Sequence, residues 1–166
     1  MIMVIGVLIF SFFLESIVSN FIPLDTNFFV PLFSLISLII IYPYFNGEKM
    51  NYLKVCAGIG LLYDVVFTDT LMMNLVFFIL LGLFICFMNQ LFSNNVFSVI
   101  LISAIIIFFY RVMGYGILCL SGLFVFHMER LWESIFSSLL LNLIYASIIY
   151  LITDFLAKKY HIRKID

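Results

Sequence analysis

Three ionisable side chains lie within apolar stretches of this chain, where a charge is costly in a lipid bilayer: Glu15, Asp64 and Arg111. A carboxylate in such a place can relay protons, hold a ligand or bind another helix, and an arginine can neutralise it. Asn74 and Asn142 add amide groups that we expect at a similar depth. A polar cluster in one half of a helix bundle is therefore geometrically possible.

The spacing around Asp64 favours a role in helix packing. Ala57, Gly60 and Asp64 follow the i, i+3, i+7 pattern, which places two small residues and the carboxylate on one helix face. Small residues let helices approach closely in membranes, so we hypothesise that Asp64 pairs with Arg111 across such a contact. The alternative is that Glu15 and Asp64 only end their helices at the headgroup level. A proton relay is less favoured, because relays normally need more ionisable groups.

No arrangement of residues in the sequence is typical of catalysis or metal binding. Tyr63 and Thr68, near Asp64, are weak candidates for a nucleophile or base. His127 and His161 stand alone, and the sequence lacks a phosphate-binding glycine loop and a zinc-protease motif. The cysteines are well separated and are expected to be packing residues: Cys56, Cys86 and Cys119. We therefore predict a protein without catalytic residues, cofactor or metal.

The composition is that of a polytopic membrane protein. Hydrophobic residues make up 66% of the 166 residues, charged residues make up 10%, and the mean hydropathy is +1.27. The apolar runs are continuous rather than alternating, and a bilayer offers no water to open backbone groups, which favours helices over barrel strands. The predicted fold class is all-α, and the N-terminal apolar run is expected to be a retained helix because no signal-peptide cleavage site follows it.

Six membrane spans are predicted within a single domain, residues 1–166, at about 2–20, 28–45, 52–68, 70–89, 96–126 and 134–157. The stretch 96–126 is difficult because Arg111 lies near its centre and Gly114-Tyr115-Gly116 follows. Two halves of about 14 residues would be too short, since a crossing needs about 17 residues or more. One tilted or kinked helix is therefore preferred, giving a six-transmembrane-helix bundle.

Basic residues predict the orientation, because lysine and arginine in short loops remain in the cytoplasm. With six spans, most basic residues share one side: Lys49, Lys54, Lys158, Lys159, Arg163 and Lys164. Both termini are thus predicted in the cytoplasm, with outside loops at about 20–27, 68–70 and 127–133. Trp132, in the last loop, suits the aromatic belt of a membrane surface. The net charge of −1 and the short basic tail give no basis for nucleic-acid binding.

Several short motifs are spread along nearly the whole chain: Glu15-Ser16-Ile17, Val30-Pro31, Gly60-Leu61-Leu62-Tyr63-Asp64 followed by Thr68 and Leu71, and Leu131-Trp132-Glu133-Ser134. Together they resemble the MreD family, the small integral membrane subunit of the bacterial rod-shape machinery. The block from Gly60 to Asp64, with the Thr-x-x-Leu that follows, is the most specific part. One difference is that the family typically has glycine directly after this Thr-x-x-Leu, whereas this chain has Met72.

The resemblance implies a non-enzymatic scaffold in the bacterial cytoplasmic membrane. It implies binding to the single-span protein MreC and, with it, a link between the MreB filament and the peptidoglycan synthases. It also implies a bundle similar in shape to the substrate-binding subunit of vitamin-uptake transporters. Because the loops are short, lateral helix contacts are the main surface available, and we hypothesise that MreC packs on a small-residue face with Gly58 or Gly60.

Two other classes of function remain open from the sequence. A small-molecule or lipid-binding transport subunit would have polar side chains converging on an enclosed cavity near Asp64, whereas a scaffold needs only satisfied polar groups and exposed grooves. An intramembrane lipid-modifying enzyme would need a nucleophile or base near Asp64 and an aqueous path.

Overall fold

Six α-helices make up most of the chain that the computed structural model describes, which comprises residues 2–21, 30–45, 47–67, 72–122 and 125–160. The helices are α1 (Ile2–Phe21), α2 (Phe33–Ile41), α3 (Lys49–Val66), α4 (Met73–Leu91), α5 (Val96–Leu120) and α6 (Met128–Lys159). A 3₁₀ turn, Tyr42–Phe45, follows α2, and the described residues contain no strand. The predicted all-α class is confirmed.

Four of these helices are long and apolar enough to cross a membrane: most of α1, and the whole of α4, α5 and α6. Large apolar side chains point away from the bundle, among them Phe13, Leu120 and Phe155, which are 62%, 89% and 66% exposed. Such a surface is stable when lipid covers it. The protein is therefore a membrane protein, and the crossing of all six helices remains a prediction because the apolar segment Phe33–Phe45 is shorter.

Helix α2 lies at the centre of the bundle. All nine of its residues are buried, and it packs against α1, α4, α5 and α6. A helix that is apolar on every side is stable when other helices surround it. Its α-helical hydrogen bonding ends next to Pro43, which has no backbone N–H to donate to the preceding turn, and the chain continues as the 3₁₀ turn.

The last two helices differ from their predicted bounds. Helix α5 is one continuous helix through Arg111, as preferred, but it ends at Leu120 rather than at residue 126. Gly122 ends it with a left-handed φ of 75° and an N–H bond to the Cys119 carbonyl at 3.1 Å. Helix α6 begins at Met128, so the outside loop predicted at 127–133 is wrong for residues 128–133.

Helix α2 is also shorter than its predicted span of 28–45, whereas the ends of α1, α3 and α4 lie within three residues of the predicted bounds. Asn20, predicted to begin an outside loop, belongs to α1. Residues 22–27 and 68–70 of the other two predicted loops lie outside the described residues. Helix α6, with 32 residues, has a length of about 48 Å, which exceeds the hydrocarbon thickness of about 30 Å. At least one of its ends therefore reaches beyond the apolar region.

Helices α3 and α4 pack closely because glycine lies at their contact. A Cβ atom added at Gly60 would lie 2.8 Å from the Asn74 carbonyl oxygen and 2.8 Å from Leu75 Cα. One added at Gly82 would lie 2.8 Å from Cys56 Sγ. Small residues permit such backbone contact between helices in lipid. The face that carries Gly60 and Asp64 is thus buried against α4.

The turn into α4 contains a left-handed residue that is not glycine. Met72 has φ of 61° and ψ of 11° and directly precedes the helix. An L-residue in this conformation costs about 1–2 kcal/mol, because its Cβ approaches the following carbonyl oxygen. Glycine has no such cost. A left-handed residue is therefore present at the position where the family that this chain resembles typically has glycine.

We expect Gly60→Ala to lower the free energy of unfolding by about 1–3 kcal/mol, because the new methyl group meets the α4 backbone. Gly58→Ala is the matched control, since no atom lies within 4 Å of a Cβ built there and alanine favours the helix. Both can be measured by equilibrium unfolding with SDS in mixed micelles. Equal effects of the two substitutions would contradict the close contact.

We expect Met72→Gly to raise the free energy of unfolding by roughly 0.5–1 kcal/mol, because glycine adopts the left-handed conformation without strain. Met72 is 60% exposed, so little packing is lost. Met73→Gly, one residue further and inside α4, should instead lower it by about 1 kcal/mol. The same SDS unfolding titration compares the two variants. A loss of stability in both would contradict the backbone strain that we infer at Met72.

Candidate functional site within the helix bundle

Glu15, which lies on α1, binds the beginning of the central helix α2. Its side chain is 1% exposed, and its Oε2 atom accepts hydrogen bonds from the backbone N–H and the hydroxyl of Ser34 at 2.8 and 2.5 Å. Its Oε1 atom accepts one from the Tyr63 hydroxyl at 2.8 Å. The first N–H groups of a helix have no partner within it and carry partial positive charge, which suits a carboxylate. Glu15 thus caps α2 rather than ending α1, which continues to Phe21.

Asp64 has the corresponding role at the beginning of α4. Its Oδ1 atom accepts hydrogen bonds from the backbone N–H of Asn74 at 2.9 Å and from Asn74 Nδ2 at 3.0 Å, and its Oδ2 atom accepts one from the backbone N–H of Leu75 at 3.0 Å. The Tyr110 hydroxyl donates to Asn74 Oδ1 at 3.0 Å. Asp64 therefore joins α3 to α4, and Asn74 extends the connection to α5.

Asn142 on α6 holds the segment that leads into α2. Its side chain is completely buried, and its Oδ1 atom accepts a hydrogen bond from the backbone N–H of Leu32 at 2.8 Å. Its Nδ2 atom donates to the carbonyls of Val30 and Ser138 at 2.8 and 2.6 Å. Both functional groups of the amide are used, so Asn142 fixes the position of this segment against α6.

The predicted polar cluster is thus present in part, as connected capping contacts. Tyr63 and Asp64 are neighbours on α3, and they link the contact at Glu15 with the contact at Asn74. Asn142 binds Leu32, the residue before the same central helix α2, but it does so from α6, whereas Glu15 binds from α1. Glu15, Asp64 and Asn142 each satisfy backbone groups that lipid cannot hydrogen-bond.

Arg111 does not form the pair with Asp64 that we hypothesised. Its Nε and Nη2 atoms are buried and have no hydrogen-bond partner among the described residues. The salt bridge found among the described residues joins Lys158 Nζ and Asp154 Oδ2, which lie 2.7 Å apart. Arg111 lies instead on a cleft between α5 and α6, which also contains Arg130 and has a volume of about 480 Å³.

Gly58 and Trp132 form none of the hydrogen bonds of this network. Gly58 is exposed on the outer side of α3, whereas Gly60 is buried against α4. Trp132 is 44% exposed and stacks on Phe136 with ring centroids 5.8 Å apart, which is compatible with a membrane-surface position. Thr68 lies outside the described residues.

Sequence reasoning missed four hydroxyl groups that form polar contacts between helices. Ser34 and Tyr110 bind Glu15 and Asn74, and the Ser11 and Tyr145 hydroxyls lie 2.6 Å apart between α1 and α6. Serine and tyrosine are uncharged and common in apolar helices, so they stood out less than the carboxylates. Ser34 is the one that its position could have indicated. It lies in the first turn of a helix that is apolar apart from Ser34 and Ser37, where backbone N–H groups need a partner.

Compared with known protein families, residues 1–160 match rod shape-determining protein MreD. The chain belongs to the MreD family. This membership supports a role in rod-shape determination, and the apolar helices agree with the membrane character of the family. The family-specific block contains the close contact at Gly60, the hydroxyl of Tyr63 and the carboxylate of Asp64.

No curated protein and no solved structure matched the chain. The expected likeness in shape to the substrate-binding subunit of vitamin-uptake transporters therefore stays a prediction.

We expect Glu15→Ala to lower the free energy of unfolding by about 3 kcal/mol, because Ser34 and Tyr63 lose a buried acceptor. Tyr63→Phe should cost about 1 kcal/mol, since the bonds from Ser34 to Glu15 remain. Glu129→Ala, at an exposed position of α6, serves as the control and should change stability by less than about 0.5 kcal/mol. If Glu15→Ala and Glu129→Ala unfold at the same SDS fraction, Glu15 is not a cap.

Proposed function

We propose that this member of the MreD family is a non-enzymatic membrane scaffold of the rod-shape complex. In this role it binds MreC and helps to couple the cytoplasmic MreB filament to peptidoglycan synthesis. The family match supports the role in cell shape. The observation that carries the scaffold role is that Glu15 and Asp64 bind helix starts of the chain itself. Carboxylates used in this way stabilise architecture.

The alternative role, a small-molecule or lipid-binding transport subunit, has less support. Such a subunit would need polar groups that converge on an enclosed cavity near Asp64. The polar groups near Asp64 converge on the first turn of α4, where Asn74 and Leu75 donate to it. The polar cleft at Arg111 lies elsewhere, between α5 and α6.

The outer side of α3 is the surface that we propose for the transmembrane helix of MreC. Helix α3 packs mainly on α4, which leaves its other side open. Gly58 lies there with Leu61, Leu62 and Val65 at i, i+3, i+4 and i+7, and these side chains are 45%, 46% and 75% exposed. A glycine among larger apolar residues lets a second helix approach closely. Gly60, the other glycine considered, is already covered by α4.

We further propose that all six helices cross the bacterial cytoplasmic membrane, with both termini in the cytoplasm. The basic residues at the beginning of α3 and the end of α6 support this orientation: Lys49, Lys54, Lys158 and Lys159. Lysine and arginine in short loops remain on the cytoplasmic side. The buried α2 would then cross the membrane surrounded by other helices of the bundle.

Replacing the native protein by Gly58→Leu in its own rod-shaped cell tests the proposal. We expect round cells and several-fold less MreC co-purifying with the variant, because leucine fills the groove that the partner helix needs. Gly6→Leu is the matched control, since Gly6 is also an exposed helical glycine with no atom within 4 Å of a built Cβ. It should leave the rod shape and MreC recovery unchanged.

Two outcomes contradict different parts of the proposal. Undiminished MreC recovery with Gly58→Leu would remove this face of α3 but leave the scaffold role. Rod-shaped cells and unchanged cell-wall synthesis after complete depletion of the protein would remove the scaffold role and favour the transport alternative. Quantifying each variant in the membrane fraction separates loss of binding from loss of the protein.

A further inference from the structure

A polar cleft runs along the hairpin that α5 and α6 form. Its walls consist of one face of α5, the facing side of the first turns of α6, and Val30: Arg111, Tyr115 and Leu118 on α5, and Arg130, Glu133, Ser134 and Ser137 on α6. Its volume of about 480 Å³ falls within the range of roughly 300–1,000 Å³ that is typical of small-molecule sites.

The wall at Tyr115 is held in place by the chain itself. The Tyr115 hydroxyl accepts a hydrogen bond from the backbone N–H of His127 at 2.9 Å and lies 3.3 and 3.2 Å from the carbonyl oxygens of Val125 and His127. These contacts fasten the segment before α6 to α5. The two helices that carry the arginines are therefore joined by these contacts. Arg111 lies midway along α5, and Arg130 lies in the first turn of α6, on the opposite wall.

The two unpartnered atoms of Arg111 lie on one edge of its guanidinium group. Nε–H and the nearer N–H of Nη2 point in the same direction, as a fork whose spacing matches two oxygens of a carboxylate or phosphate. Both atoms are buried, and neither has a hydrogen-bond partner in the described part of the chain. A buried charge without hydrogen bonds is strongly unfavourable, so this edge is suited to an anion.

The other charges of the cleft leave it positive. Arg130 adds a second cation and Glu133 one carboxylate, and both are exposed, so the net charge of the lining side chains that the structure describes is +1. The hydroxyls of Ser134 and Ser137 lie on the same wall as Arg130, and Val30 and Leu118 add apolar surface. Two guanidinium groups on opposite walls exceed what one carboxylate can use, and they suit a group with three or four oxygens.

We propose that this cleft binds a phosphate group, with the Arg111 side chain turning its unpartnered, buried edge toward the group and Arg130 contacting it from the opposite wall. The phosphate belongs either to the headgroup of an anionic lipid or to free phosphate or pyrophosphate. The apolar wall and the position between two membrane helices favour the lipid. The cleft adjoins the contact of Asn142 with Val30, which lines it, and it differs from the α3 face proposed for MreC.

Native mass spectrometry of the full chain in dodecyl maltoside tests the proposal. The probes are phosphatidylglycerol, diacylglycerol as the matched lipid without phosphate, inorganic phosphate and pyrophosphate. We expect one phosphatidylglycerol to bind more tightly than diacylglycerol. Arg111→Gln and Arg111→Lys should both weaken it by about tenfold or more, because lysine keeps the charge but lacks the fork. Lys54→Gln, an exposed charge loss on α3, should leave binding unchanged.

The outcomes separate the source of the phosphate from the site. Tight binding of inorganic phosphate or pyrophosphate that Arg111→Gln abolishes supports a free anion, and binding of phosphatidylglycerol alone supports a headgroup. Equal binding of phosphatidylglycerol and diacylglycerol, with no binding of either inorganic anion, would overturn the proposal. If Arg111→Gln does not fold, Arg130→Gln at the exposed wall replaces it, and undiminished phosphate binding in that variant would also overturn it.

Discussion

Helix beginnings inside the bundle set the physical constraint on which the rest of this structure depends. Lipid cannot bond the free N–H groups of a first turn, and neither α2 nor α4 has a capping side chain of its own. Glu15 and Asp64 supply these caps from α1 and α3. Each cap therefore satisfies backbone groups and also fixes one helix against another, so local and tertiary stability depend on the same contacts.

The short central helix shows why such caps are needed. Helix α2 has nine residues, all buried, and it makes few backbone hydrogen bonds of its own. Glu15 fixes its first turn, and Asn142 fixes the preceding segment through Leu32 and Val30. Phe33 stacks on Tyr145 with ring centroids 4.0 Å apart, beside the contact of Tyr145 with Ser11. The centre of the bundle is thus held from α1 and α6 together.

The family-specific block concentrates three contacts in little more than one helical turn. Gly60 allows α4 to approach, Tyr63 reaches Glu15, and Asp64 binds the first turn of α4. The bonds to Asp64 also hold the backbone of Asn74 and Leu75, two and three residues after Met72. Such contacts stabilise the turn in which methionine adopts a left-handed conformation. In this chain, the block therefore determines how α3 and α4 pack together. The surfaces that we propose for MreC and for a phosphate group lie on other faces of the bundle.

The sequence by itself determined the membrane environment, the helical class and the family, because apolar run length, composition and short motifs are local properties. It also identified Glu15, Asp64 and Asn142 as costly polar groups. Only the tertiary structure decided their partners: Asp64 binds α4, and Arg111 faces a separate cleft. Spacing along one helix fixes which face a side chain occupies, but the helix that it meets depends on how all six pack together.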